Sequence, residues 1–218
     1  MPSHSPRAEP AAAVARRLRD AGPLALDDGE ALQLIGGLRL GEAEALLDEF
    51  GSLVEVLAQE PGALMRIVSE ARAARLGLAR DLVRRVLLLE LRERPLIPGL
   101  TVVADYLRAL LGGLPREEFR VLFLDNRNRL IRDEVVNRGT VDHAPVYPRE
   151  VMRRALELNA SALVLAHNHP AGDPKPSPAD VEMTARIAEA GRALRITVHD
   201  HILVAGAEAV SFRAQGLL

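Results

Sequence analysis

The stretch SALVLAH, residues 161–167, is a nearly continuous apolar run. A strand with no polar face must sit in the middle of a sheet, buried on both sides, and that requires a layered domain around it. The neighbouring sequence alternates accordingly. FRVLFLD (119–125), the turn residues Asn126 to Asn128 and LIRDEVV (130–136) predict an antiparallel hairpin. Pro148 suits the first turn of a helix reaching about Asn159, and a second helix starts near Pro178. RITVHDHILVA (195–205) and AVSF (209–212) supply the last strands. The expected class is α/β (α+β) with a central mixed sheet.

The preceding half follows a different period. From Ala11 to about Arg94, apolar residues recur at spacings of three and four, as in Leu82, Val83, Val86, Leu87 and Leu91. Breaks at Gly22-Pro23, Gly36-Gly37, Gly51 and Pro61-Gly62 cut this region into helices too short to be stable alone, so they must pack on one another. A small all-helical domain over 11–94 is expected, after a Pro- and Ser-rich tail at 1–10 that is expected to be disordered. Pro95, Pro98 and Gly99 mark the boundary, and a second domain is expected over 98–218.

With 3% aromatic residues and no tryptophan, the core must be built from Leu, Val, Ala and Ile. A net charge of −2 gives no overall positive field for unspecific nucleic-acid binding. The absence of cysteine excludes disulfides, thiolate metal sites and a cysteine nucleophile. MPSHSPRAEP has no apolar signal core, and no run reaches the roughly 18 apolar residues of a membrane span, so a cytoplasmic chain without a membrane partner is expected.

His167 and His169 follow directly on the buried strand, two positions apart and so on one face of extended chain. Asp180 comes after a loop stiffened by Pro170, Pro174, Pro176 and Pro178, which holds a third ligand in place. Two imidazoles and a carboxylate leave a zinc ion one open position, the arrangement of a catalytic site. Hydrolysis by activated water also needs a general base, a role worth about 10²- to 10⁴-fold. SPAD reads at the same time as a helix start, with Ser177 as N-cap, Pro178 at N1 and Asp180 at N3. An Asp in the first helical turn is well placed whether or not it binds an ion.

The string HNHPAGDPKPSPAD resembles the JAMM signature of the JAB/MPN metalloprotease superfamily: HxH, seven residues, Ser, two residues and Asp. More narrowly it resembles the bacterial RadC family, long labelled DNA repair proteins, and PREVMRRALELNASALVLAHNHP extends the likeness upstream. The resemblance covers about Pro98 to Leu218, including Asp200-His201 and the ending VSFRAQG. It implies a cytidine-deaminase-like layered fold, one zinc ion on His167, His169 and Asp180, and Ser177 stabilising the oxyanion. It also implies a general base just before the first core strand, which here is Glu117, two residues ahead of Phe119, with Glu118 as the alternative after a one-residue shift. Asn168 points to the opposite face and is expected to fix the loop by hydrogen bonds. His199 and His201 form a second HxH, expected in supporting or core roles, with Asp200 orienting a ligand histidine; His143 has no assigned role.

RadC-like chains carry a helical domain with a helix-hairpin-helix element, yet here Val68 to Ala71 offer no Gly-x-Gly for close approach to a phosphate. Arg72, Arg75, Arg80, Arg84 and Arg85 are interrupted by Glu70, Asp81 and Glu90. The leading expectation is a zinc-dependent hydrolase of a peptide or isopeptide bond in a protein or peptide. The alternatives are a DNA-binding repair accessory and an interaction platform with a non-catalytic metal. The residues specify neither the particular substrate nor an oligomeric state. Substrate choice is expected to lie in loops such as Gly139 to Pro148.

Overall fold

Helices in the N-terminal region start where a side chain can satisfy otherwise unpaired amides. The computed structural model describes residues 11–93, 100–139 and 146–218. It shows α1 (Ala11–Ala21), α2 (Asp28–Gly36), α3 (Leu40–Phe50), α4 (Leu53–Ala58) and α5 (Pro61–Leu64). Asp27 and Ser52 form capping boxes with Glu30 and Glu55 at the starts of α2 and α4. Gly37 closes α2 at a φ of 64°, where a side chain would be strained. These helices enclose a core that includes Leu32, Leu46, Val56, Leu64 and Leu76.

The long α6 (Glu70–Glu93) follows, and the division into two compact units falls inside it, between Leu82 and Val83. At its start the Ser69 carbonyl accepts from the amides of Arg72 and Ala73, so Glu70 and Ala71 open a helix rather than a glycine turn. Pro95 to Gly99, where the sequence places a domain boundary, and the tail at 1–10 lie outside the described residues. Among the described residues no helix is long and apolar enough to cross a membrane.

The second unit contains α7 (Leu100–Leu111), β1 (Glu118–Leu124), β2 (Leu130–Arg138), α8 (Pro148–Glu157), β3 (Ala162–Asn168), α9 (Pro178–Ala193), β4 (Thr197–Ala205) and β5 (Glu208–Ser211). The sheet is mixed, in the order β2-β1-β3-β4-β5, with only β3 and β4 parallel. The hairpin turn is built by Asp125, whose carboxylate accepts from the amides of Arg127 and Arg129, and by Asn128 at a φ of 58°. α8 stops two residues short of the expected Asn159, which takes a φ of 52° and turns the chain into β3.

β3 is buried along its whole length, as its composition requires. Ala162, Val164 and Ala166 pack with Leu107 and Leu111 of α7 on one face. Leu163 and Leu165 pack with Val151 and Ala155 of α8 and Ile187 of α9 on the other. The end of β3 that carries His167 therefore belongs to a strand buried on both faces.

β4 is not a regular strand. Leu163 pairs with Val198 and Val164 with Asp200, so His199 is an extra residue, a β-bulge. The bulge inverts the alternation: Val198 faces the core of α8 and α9, whereas Ile202 and Val204 face that of α7. Gly191 fixes the turn between α9 and β4, because a Cβ there would lie 2.5 Å from the Ile196 carbonyl oxygen. Gly191→Ala is expected to cost about 1–3 kcal/mol, read as a lower urea midpoint with unchanged slope.

Candidate metal centre

β3 ends with two imidazoles leaving the buried strand on the face covered by α8 and α9. His167 is 1% exposed, while His169 and Asp180 are partly open to solvent. Asp180 arrives from the first turn of α9, held by the capping box expected from SPAD. The Ser177 N–H and Oγ–H donate to Asp180 Oδ2 at 2.8 and 2.6 Å, and the Asp180 N–H donates to Ser177 Oγ at 3.2 Å. Burial works to raise the Asp180 carboxyl, yet its net shift is downward, and the two Ser177 donations favour the charged form.

Three ligand atoms converge here. His167 Nε2 lies 3.2 Å from His169 Nε2 and 3.5 Å from Asp180 Oδ1, and His169 Nε2 lies 3.5 Å from Asp180 Oδ2. The edges of a tetrahedron around zinc, with ligands at about 2.0–2.1 Å, are about 3.3–3.4 Å long. The donor set fits that ion in chemistry, the two imidazole nitrogens lie at that spacing, and each nitrogen has its own Asp180 oxygen at 3.5 Å. The tautomer of His169 agrees: its Nδ1 lies 2.9 Å from the Asp173 carbonyl oxygen, which only accepts, so the neutral ring carries its proton there and leaves Nε2 bare. Among the described residues these three side chains form the cluster able to hold a metal ion.

The entrance to β1 lies beside this centre. Phe119 pairs with His167 and stacks on its ring, with centroids 6.3 Å apart. Exposed Glu117 immediately precedes β1, and strand alternation continued by one residue turns it to the face of Phe119 and His167. Glu118 lies on the other face, its carboxylate bonded to Arg120 and Arg138. Asn168 behaves as its opposite-face position implies. Its Oδ1 accepts from the Glu118 N–H at 2.8 Å and its Nδ2 donates to the Arg116 carbonyl at 3.1 Å, clamping the peptide groups on either side of Glu117. The Gly139 N–H donates to the Glu117 carbonyl at 2.8 Å, a third tie.

The second HxH is not a pair. The bulge lies at His199, whose Nε2 contacts Asn128 Oδ1, while His201 turns inward to place Nε2 2.8 Å from His167 Nδ1. The expectation that Asp200 orients a ligand histidine is corrected. Its buried carboxylate accepts from Ser211 Oγ and from the N–H groups of His201 and Arg213, which stabilises the bulge, and it is His201 that contacts His167. Burial pushes the His201 imidazole well below its ordinary pKa, with the nearby His167 acting in the same direction. Thr184, one helical turn after Asp180, was missed, although the i+4 spacing of a hydroxyl residue on that helix could have suggested it. His143 and the central part of the loop after Gly139 lie outside the described residues.

Arginines of the helical unit are used internally. Arg72 donates to the Gly37 carbonyl and pairs with Glu42, and Arg80 donates to the Gln59 carbonyl and pairs with Asp81.

The family model for the RadC-like JAB domain matches residues 99–217. A UPF0758 protein of Rhodobacter capsulatus is 45% identical over 210 residues, which cover 93% of this chain and 98% of the relative. That match spans the helical region as well as the sheet and its cluster of two histidines and an aspartate. The chain belongs to the RadC family, and its sheet-containing unit is a RadC-like JAB domain.

Proposed function

We propose that this protein is a zinc-dependent hydrolase of peptide or isopeptide bonds. The observation that carries the reading is the convergence of His167 Nε2, His169 Nε2 and the Asp180 carboxylate, with 3.2 Å between the two nitrogens and 3.5 Å from each nitrogen to a carboxylate oxygen, His169 and Asp180 being partly open to solvent. Zinc, when bound, supplies Lewis acidity and makes water nucleophilic near neutral pH.

The chain's own residues supply the rest. Glu117, on the His167 face and held through its backbone, takes the proton of the attacking water on its carboxylate and returns it to the departing nitrogen. Ser177 holds Asp180 and is the proposed oxyanion donor; its hydroxyl, which donates to Asp180 Oδ2, turns to donate to the substrate oxygen in that role. The proposed partner is a protein or peptide presenting an amide carbonyl. Engagement of Arg72 and Arg80 within the helical unit gives no support to a phosphate contact there.

Purified protein is expected to hold about one zinc per chain, as a three-ligand catalytic site does. Chelation should abolish cleavage across a panel of peptide and ubiquitin-like isopeptide substrates, and added zinc should restore it. Zinc-loaded protein that cleaves no member of a broad amide panel would sink the proposal.

A further inference from the structure

We infer that Thr184 and His201 are positioning residues that fix the tautomer of His167, leaving its Nε2 bare as a metal ligand and tying it to the helix that carries Asp180. This inference rests on the reading of the cluster as a metal centre. The proton positions follow from which groups can donate. Thr184 Oγ1 lies 2.6 Å from the Asp180 carbonyl oxygen and 2.6 Å from His201 Nδ1. A carbonyl only accepts, so the single hydroxyl proton goes to Asp180, since otherwise two oxygens would meet lone pair to lone pair. Oγ1 must then accept from His201 Nδ1–H.

The buried His201 ring meets Thr184 Oγ1 and His167 Nδ1 and no carboxylate, so it carries one proton, and its bare Nε2 accepts from His167 Nδ1–H at 2.8 Å. His167 Nε2 is left without a proton, facing His169 Nε2 and Asp180 Oδ1. Three donations in series thus connect a ligand imidazole on β3 to the carbonyl of another ligand residue on α9.

Water cannot substitute in this chain, because His167, His201 and Thr184 are each no more than 1% exposed. The His201 ring is also fixed sideways, with Phe212 at 4.3 Å and Phe119 at 5.4 Å between centroids. The bulge at His199, held by Asp200, turns His201 to the His167 side. A group that orients a ligand histidine typically changes metal affinity by about 10- to 100-fold when removed.

The test uses the full chain as wild type, T184V, T184S and H201Q. Zinc affinity is measured by competition with a chromophoric chelator. The His167 tautomer is read by nitrogen NMR on the metal-free protein at mildly alkaline pH, and metal-free thermal melts report folding separately. T184V is nearly isosteric and lacks only the hydroxyl; it is expected to bind zinc about 10- to 100-fold more weakly and to lose the single Nδ1–H tautomer. T184S restores both, and H201Q weakens zinc at least as much as T184V.

Wild-type affinity in folded T184V, or an Nε2–H tautomer of His167 in metal-free wild type, would overturn the relay while leaving the metal centre standing. A wild type that binds no zinc, yet shows the Nδ1–H tautomer and loses it in T184V, would instead support the relay and defeat the metal reading. If T184V does not fold, the contrast between T184S and H201Q decides in the same way.

Discussion

Asp180→Ala is expected to reduce bound zinc from about one equivalent to nearly none and to abolish amide hydrolysis, with the fold retained. Two neutral imidazoles alone leave a dication with no anionic ligand, and His167 and His169 stand next to each other on one strand end, so neither can replace a carboxylate arriving from α9. Structural damage is limited. Ser177 Oγ still accepts from the amide of residue 180, so the helix start keeps its main cap and loses only the reciprocal half, less than the about 0.5–2 kcal/mol of a whole cap.

Asp180→Asn sharpens the measurement, because it keeps nearly the same shape and an acceptor for Ser177 while removing the charge. Metal content after dialysis and a thermal melt should separate the two effects. Both variants should fold, and neither should retain a full equivalent of zinc. Retention of that equivalent by folded Asp180→Ala would remove Asp180 from the ligand set and with it the proposed site.

The parts of this centre that were legible in the sequence are those in which a local rule fixes geometry. Extended chain has a period of two, so His167 and His169 had to share a face once SALVLAH was read as a strand. SPAD had to start a helix, and the same capping box brings Asp180 in with a fixed orientation. The hairpin was likewise written in the turn residues Asn126 to Asn128, to which the structure adds the Asp125 carboxylate.

His201 was not legible in this way, because its direction depends on a bulge, and the string VHDHI carries no local mark of one extra residue. Simple alternation pairs His199 with His201 and suggests a carboxylate orienter in Asp200. Instead the inserted residue separates the histidines and draws Asp200 into the backbone of the bulge. Thr184 depends on the same long-range event. Its hydroxyl could be placed one turn beyond Asp180, but its partner lies on β4, whose register is set by pairing with β3.

Glu117→Gln is expected to keep zinc, fold and substrate binding and to lower the hydrolytic rate by about 10²- to 10⁴-fold, equivalent to about 3–5 kcal/mol of barrier. Its geometry makes the substitution clean. Glu117 is exposed, and its position is held by backbone ties: Asn168 to the peptide groups on either side and Gly139 to its own carbonyl. An isosteric amide leaves those ties intact and removes only the ability to take a proton.

Glu118→Gln provides the internal contrast. That carboxylate faces the other side of β1 and lies between Arg120 and Arg138, so its neutralisation should lower stability, read as a lower melting temperature, with little effect on rate. The two adjacent glutamates thus separate chemistry from structure through strand alternation alone. A wild-type rate in zinc-loaded Glu117→Gln would rule Glu117 out as the base. Rate loss in Glu118→Gln, with Glu117→Gln active, would mean that β1 enters the site one residue out of the register defined by Phe119 and His167.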